Sequence, residues 1–260
     1  MSVTAVPATR RPPIRPPILR LALTELRLFA RERARFVARL GLPIVLLVIF
    51  GSIPFYTQTR RSLDGHSLFD AYVPILIAYS LTIIALTALP MVLADYRDKG
   101  VLRRLQTTPA GAGRVIGAQL LAYLAVVAIT VVLIVGVARI GYGVFLPRQP
   151  VGFILAALLA AAALICVGLF IAAVSPTAQA AQAIGTVLFF PLMFFAGLFF
   201  PIPVMPSFLR HLSHATPLGA AVQALQDAWL GHWPHPLQLI TMAAYLAVFG
   251  LAAAKLFRWK

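Results

Sequence analysis

Residues 96–114 read YRDKGVLRRLQTTPAGAGR, a short charged stretch enclosed by two long apolar runs. Its five basic residues are Arg97, Lys99, Arg103, Arg104 and Arg114. The runs on either side, 71–94 and 115–138, each exceed the ~20 apolar residues that cross a bilayer as a helix. Short loops rich in Arg and Lys stay on the cytoplasmic side of a membrane. The stretch, called the charged loop below, therefore predicts two transmembrane helices joined in the cytoplasm.

The centre of the charged loop has the pattern of a small amphipathic helix that begins at Gly100 and ends before Pro109. Its two faces are an apolar one (Val101, Leu102 and Leu105) and a basic one (Arg103 and Arg104). Such a helix would lie at the membrane surface with one face available to a partner. The loop joins its two spans directly, so a push on Leu102 and Leu105 would shift both spans as rigid bodies. The alternative is that the loop is only a basic anchor without a partner.

The composition places the chain among integral membrane proteins. Of its 260 residues, 61% are hydrophobic and 11% are charged, whereas a soluble domain has about 25% charged residues. Between Arg148 and Arg210 the thiol of Cys166 is the only ionisable side chain. This stretch is long enough for two spans and a turn, and no water-facing surface lacks charge for so long.

The net charge of +15 is explained by membrane topology rather than by nucleic-acid binding. Seventeen of the 22 basic residues fall in three places, the N-terminal segment, the charged loop and the C-terminal end. The positive-inside rule then puts both termini and the charged loop in the cytoplasm. We expect no nucleic-acid partner.

The hydropathy pattern predicts an all-α protein with three parts. Residues 1–17 form a disordered tail rich in Pro and Arg, 18–36 an amphipathic interface helix, and 37–260 a six-span transmembrane domain. The six spans are predicted at 37–55, 71–94, 115–138, 151–174, 181–200 and 237–256. The fourth and fifth spans are separated only by a tight turn at 175–180 with a Pro break.

The interface helix has a basic stripe opposite its apolar face, and such a helix lies along the membrane surface. The stripe contains Arg20, Arg27, Arg31 and Arg35. Three of these repeat at i,i+4, and like charges at that spacing repel each other by a few tenths of a kcal/mol per pair. Lipid headgroups or an acidic partner surface would offset the repulsion.

The segment between the fifth and sixth spans contains two short helical pieces, 207–214 and 217–230. Each is at most ~14 residues long, too short to cross a bilayer. They could rest as a hairpin on the outer leaflet, or they could form a re-entrant pair that lines an exit. Re-entrant backbone is tolerated only where protein or a water-filled cavity satisfies its polar groups.

The sequence lacks the motifs of an enzyme. Its three lysines, Lys99, Lys255 and Lys260, do not follow the glycines of a phosphate-binding loop, and no metalloprotease or serine-nucleophile motif occurs. The predicted spans have no acid or histidine at depth, as ion-coupled transporters have. If the protein moves a substrate uphill, the energy enters from another chain. His211 and His214 are spaced i,i+3, but they fit a membrane-interface segment better than a metal site, and we expect no metal or cofactor.

Two segments of the chain resemble the corresponding segments of a family, the permease subunits of type-2 ABC exporters of the drug-efflux-like branch. YRDKGVLRRLQTTP, residues 96–109, is similar to that family's Gly-Val-Leu-x-Arg-Leu-x-x-Thr-Pro loop. FFPIPVMPSFLRHLSHATPLGAAVQALQDAWLG, residues 199–231, lies between the fifth and sixth spans. With the amphipathic helix before six spans, the resemblance covers nearly the whole chain.

The resemblance implies that residues 100–109 form a coupling helix that docks on a separate ATP-binding subunit. The ATPase-coupling residues would be Asp98, Gly100, Val101, Leu102, Arg103, Arg104, Leu105 and Pro109, with the interface helix beside them. ATP and magnesium would bind to the partner ATPase. Family members often carry Glu near the start of this loop, where Asp95 and Asp98 stand here, and which acid matters is open.

The first functional hypothesis is therefore a permease of an ATP-driven exporter in the bacterial inner membrane. It would pair with an identical or related permease and move a hydrophobic or amphipathic molecule, such as a drug, an antibiotic or a lipid-like compound, toward the outside, which would give antibiotic resistance by efflux. The second hypothesis is a membrane scaffold or sensor that binds a cytoplasmic partner and transports nothing.

Overall fold

The computed structural model describes residues 33–58, 67–100, 112–199, 202 and 205–256. Nearly all of them are helical, and no strand occurs in these ranges. The helices are α1 (Arg33–Ser52), α2 (Pro54–Thr57), α3 (Leu68–Asp98), α4 (Ala112–Tyr142), α5 (Pro150–Val174), α6 (Ala178–Phe195), α7 (Ser207–Ala215), α8 (Pro217–Leu230) and α9 (Pro236–Leu256). The predicted all-α membrane fold is confirmed.

Five helices in the described part are long and apolar enough to cross a membrane: α3, α4, α5, α6 and α9. They correspond to the second to sixth predicted spans. The first predicted span falls on α1, a helix of 20 residues that contains Pro43. In α1 the apolar stretch of described side chains runs from Gly41 to Ser52, so a sixth crossing stays a prediction.

Helix α3 is longer than the predicted span 71–94, because both of its ends are stabilised by polar groups. At its start Ser67 and Asp70 form a reciprocal capping box, in which each side chain accepts a hydrogen bond from the other's backbone N–H. At its end Gly100 has φ of 65°, a left-handed conformation that glycine adopts at little cost and that stops helices. The 31 residues of α3 extend over about 46 Å.

The middle of α3 contains a π-helical segment, Ile84–Ala88. One wider turn of this kind shifts the helix face that follows it and presents backbone carbonyls sideways. These carbonyls lie against glycines of two neighbouring helices. A Cβ atom at Gly168 of α5 would come within 2.1 Å of the Ala85 oxygen, and one at Gly185 of α6 within 1.9 Å of the Leu86 oxygen.

Helix α8 lies inside the bundle, where it packs against α3, α5, α6 and α9. Ten of its 14 residues are buried. The side chain of Trp229 is only 1% exposed and meets the rings of Phe145 and Phe153. This burial fits the re-entrant alternative and is incompatible with α8 resting on the membrane surface. By contrast α7 lies at the edge of the bundle, with Phe208 74% exposed.

Candidate functional site

The predicted coupling residues fall partly within the described part of the chain. Asp98 and Gly100 lie at the end of α3. The other six predicted residues, Val101, Leu102, Arg103, Arg104, Leu105 and Pro109, lie outside the described residues, as do Arg20, Arg27 and Arg31 of the interface helix. Arg35 lies in α1, but its side chain is outside the described part. The site can therefore be built up from the first residues of the charged loop.

The Asp98 carboxylate connects the end of α3 to the beginning of α6. Its Oδ2 atom accepts a hydrogen bond from the backbone N–H of Ala178, with a distance of 3.0 Å between N and O. Ala178 is the first residue of α6, and the preceding Thr177 accepts from Ala180 N–H through its hydroxyl oxygen. Two of the N–H groups that a helix leaves unpaired at its start thus have side-chain acceptors.

The neighbouring Arg97 connects the same end of α3 to the end of α5. Its guanidinium donates one hydrogen bond to the Ala172 carbonyl, at 3.1 Å, and another to the Ser175 carbonyl. Both carbonyls belong to the last turn and C-cap of α5. The Arg97 side chain is 19% exposed, so these bonds are largely sheltered from bulk water.

The two charges complement the dipoles of the helices that they touch. A helix has partial positive charge at its N-terminus and partial negative charge at its C-terminus, and a matching side-chain charge contributes typically 0.3–1 kcal/mol. Asp98 lies at the N-terminus of α6 and Arg97 at the C-terminus of α5. The two side chains are also 3.9 Å apart, from Nε to Oδ1. We call this arrangement, in which Arg97 binds Ala172 and Ser175 while Asp98 binds Ala178, the junction.

The ion pair beside the junction contributes little to stability. Lys99 and Asp95 form an ion pair of 2.8 Å, with side chains 67% and 37% exposed. Exposed pairs of this kind contribute ~0–1 kcal/mol. The two candidates for the functional acid of the loop, Asp95 and Asp98, are thus in different environments. Asp98 binds another helix, whereas Asp95 pairs with Lys99 at the end of its own helix.

The junction and the π-helical segment make α3, α5 and α6 one packed unit. Carbonyls of the π-helical segment lie against Gly168 of α5 and Gly185 of α6, and Arg97 and Asp98 bind the end of α5 and the start of α6. The prediction from the sequence is that the charged loop acts on the two spans joined to it. The junction adds direct bonds from the base of the loop to α5 and α6, which are distant in sequence.

The sequence offered little sign of the junction. In the sequence Arg97 is one of five basic residues of the charged loop, and Ser175 and Ala178 belong to a predicted turn. A Thr followed by an apolar run indicates a helix start at 178, but no spacing rule relates it to Asp98, 80 residues earlier.

The histidines do not form a metal centre in the described part of the chain. No group of three or more His, Cys, Asp or Glu residues there could hold a metal ion. His211 Nδ1 lies 2.7 Å from the Ser207 carbonyl and donates to it. Burial, with smaller contributions from His211 and Arg210, lowers the pKa of His214, which favours the neutral ring.

Comparison with known proteins gives one family. The model of the family described as ABC-2 type transporter matches residues 18–230, which is more than four fifths of the chain. The match includes the charged loop, the junction and helix α8. The comparison with curated proteins gives no match.

Proposed function

The chain belongs to the ABC-2 type transporter family, and from this premise we propose that it is the permease subunit of an ATP-driven exporter. A permease that hydrolyses no ATP itself must receive force at a surface facing its ATPase. The charged loop is the candidate for that surface, and the substrate would be a hydrophobic or amphipathic molecule moved out of the cytoplasm or the inner leaflet. The permease would work as a pair, with an identical or related second copy.

The observation that carries this proposal is the junction. A displacement of the charged loop acts on α3 and α4 through the chain itself. It also acts on α5 and α6 through Arg97 and Asp98, whose bonds to Ala172, Ser175 and Ala178 span 75–80 residues of sequence. Four of the five apolar helices in the described part would thus move in response to one contact on the cytoplasmic side. A conformational cycle driven by a cytoplasmic ATPase requires such a response.

The short sequence separation between the junction and the predicted coupling segment supports a direct transmission of movement. Only Lys99 separates Asp98 from Gly100, the left-handed first residue of the predicted coupling segment, so no linker lies between the junction and that segment. ATP and magnesium would bind to the partner ATPase, where their chemistry takes place, and the present chain would supply only the docking surface and the moving helices.

The test is Leu105→Asp in the full chain, co-expressed with its cognate ATPase. A charge on the apolar face of the coupling segment should disrupt docking, because burying an unpaired carboxylate costs several kcal/mol. We expect loss of the co-purified complex and of substrate-stimulated ATP turnover. His232→Gln, an exposed change at the opposite end of the bundle, should preserve both.

A complex with unchanged stimulated ATP turnover in Leu105→Asp would contradict the coupling assignment. A complex that forms in the wild type but moves no substrate would instead support the scaffold or sensor. Reconstitution in vesicles with fluorescent amphipathic drugs inside or outside determines the direction of transport in the same preparation.

A further inference from the structure

The short helix α7 has three faces of different chemistry, which lie about 120° apart on a helix of 3.6 residues per turn. The first face attaches α7 to the bundle. Leu209 packs against the hydrophobic core. Ser213, one turn later, is completely buried, and its hydroxyl donates to the Phe195 carbonyl at 2.5 Å. The other two faces of α7 therefore point away from the bundle.

The second face is apolar and uncovered. Phe208 and Leu212 are spaced i,i+4 and are 74% and 41% exposed, and Ala215 extends the same stripe by a turn. Helical residues at this spacing lie side by side. The described part of the chain leaves this stripe open, so it faces the surroundings of the protein.

The third face is basic. Arg210 and His211 are exposed and His214 is half-buried. Burial and then the charges of His211 and Arg210 lower the pKa of His214, so the three side chains act on one another. Arg210 Nη2 donates to the Met205 carbonyl at 3.1 Å, which orients the guanidinium and leaves its charge. Residues 199–226 contain no Asp or Glu, so this segment supplies no acid to the basic face.

Helix α7 lies at the level where α6 leaves the membrane. Helix α6 ends at Phe195, the residue to which Ser213 is bonded. The 18 residues of α6 extend over about 27 Å, so the helix needs its whole length to cross a hydrocarbon layer of about 30 Å. Both ends of α6 are therefore near the membrane surface, and so is α7.

The orientation of α7 is fixed by its connection to α8. Thr216 is the C-cap of α7 and the N-cap of α8, since its N–H donates to the Leu212 carbonyl and its hydroxyl accepts from the Gly219 N–H. The two helices also pack closely, because a Cβ at Gly219 would lie 2.1 Å from the Ser213 carbonyl oxygen. The apolar and basic faces thus have set directions relative to the bundle.

We propose that α7 is a membrane-surface helix that binds anionic phospholipid in the leaflet at its end of the bundle. Phe208 and Leu212 enter the layer between headgroups and acyl chains, and Arg210 contacts the lipid phosphate. A helix with a bulky apolar face beside a basic one lies in the plane of the interface, and a guanidinium binds phosphate oxygens through paired hydrogen bonds. With the charged loop in the cytoplasm, this leaflet is the outer one.

A second copy of the chain fits the same surface less well. A two-fold interface brings identical patches together, so the basic face of one copy would meet that of the other, and such like-charge contacts are costly. The lipid surface of α7 needs no ATPase, and it goes beyond the proposed function.

The position of α7 is tested by nitroxide labels in a Cys166→Ala background, in nanodiscs of phosphatidylglycerol and phosphatidylcholine. Leu212→Cys places a label on the apolar face and His211→Cys places one on the basic face. We expect the label at 212 to be several-fold more accessible to oxygen, which dissolves in acyl chains. The label at 211 should be several-fold more accessible to a water-soluble nickel chelate.

The lipid class is tested with a bimane fluorophore at Ser207→Cys, beside the basic face, in the same background. Phosphatidylglycerol and phosphatidylcholine with identical acyl chains are titrated into the full chain in detergent micelles. Phosphatidylglycerol should half-saturate the signal at least fivefold earlier, since one cation at an anionic surface contributes about fivefold in affinity. Arg210→Gln should remove most of this preference and Arg210→Lys should retain it. Arg148→Gln removes an exposed charge at the same end and should leave the preference unchanged.

Four results would overturn the proposal. Equal access of the nickel chelate to both labels would place α7 in water, and exclusion of both reagents from the label at 212 would mean that protein covers the apolar face. Equal half-saturation by the two lipids, or an unchanged preference in Arg210→Gln, would exclude a site for anionic lipid. The accessibility measurement retains Arg210, so it decides the position of α7 even if Arg210→Gln does not fold. Failure of either measurement leaves the permease proposal standing, because neither contains an ATPase.

Discussion

Asp98 is the residue of the charged loop whose side chain binds α6, as Arg97 binds the end of α5. Replacing it by Ala leaves the Ala178 N–H without its acceptor and removes the charge that complements the α6 dipole. The side chain is 34% exposed, and Thr177 still caps the helix, so the cost in unfolding free energy should be at the low end of the range for caps, roughly 0.5–1 kcal/mol.

The larger effect of Asp98→Ala should be on the coupling of ATP hydrolysis to transport. The variant lacks the hydrogen bond through which a movement of the end of α3 would reach the start of α6. We expect ATP hydrolysis by the reconstituted complex to continue while transport per ATP falls several-fold. Thermal unfolding and vesicle uptake measured on one preparation separate the two effects, with the exposed His232→Gln as the control. Fully coupled transport in Asp98→Ala would show that the bond to Ala178 transmits nothing.

Gly185 is a residue where one methyl group has a large predicted effect. A Cβ there would lie 1.9 Å from the Leu86 carbonyl oxygen, a backbone atom that cannot turn aside as a side chain can. Gly185→Ala should therefore push α6 away from the π-helical segment and lower stability by about 1–3 kcal/mol or more.

Gly136→Ala in α4 is the matched control, since a Cβ there meets no atom within 4 Å. Ala is the better helix former, so this change should be neutral or slightly stabilising. Denaturation of the two variants in the same detergent measures the difference. Equal melting temperatures would mean that the close approach of α3 and α6 is not needed for stability.

At the scale of the helices, the length of each apolar run predicted that a helix occurs there better than it predicted where that helix begins and ends. The spans at 151–174 and 237–256 match α5 and α9 within one residue, because proline begins each helix and the apolar run then continues without a break. Helix α3 begins three residues before its predicted span, where the capping box forms, and the π-helical segment within it left no recognisable pattern in the sequence. The junction was not predictable, because it depends on which helix ends meet in three dimensions.

The prediction at the scale of one helix concerns α8, because the buried Trp229 side chain packs its last turn into the bundle. Trp229 is 1% exposed between Phe145 and Phe153, whereas from the sequence it could as well have been an interfacial anchor. Trp229→Ala should leave a large void and lower stability by about 3–5 kcal/mol. Trp233, four residues later and 52% exposed, should tolerate the same change within roughly 0.5 kcal/mol. Comparable losses in the two variants would place α8 at the surface and not inside the bundle.

At the scale of the whole molecule, its charges are separated between the two ends of α3. The junction end has Arg97, Asp98 and the basic charged loop, and the other end has Asp70 and Asp227, which have no Lys, Arg or His nitrogen within 4.0 Å in the described part of the chain. Composition and hydropathy predicted that the protein crosses the membrane, and the family match agrees. The positive-inside rule predicts that the junction end faces the cytoplasm.

Cysteine labelling tests this orientation, because the chain has a single native cysteine, Cys166. In a Cys166→Ala background, Lys99→Cys and His232→Cys place one thiol at an exposed position at each end of the bundle. An impermeant maleimide added to intact spheroplasts should label the cysteine at 232 and should reach the one at 99 only after permeabilisation. The reverse pattern would place the charged loop outside, where no ATPase could dock, and would remove the basis of the coupling role.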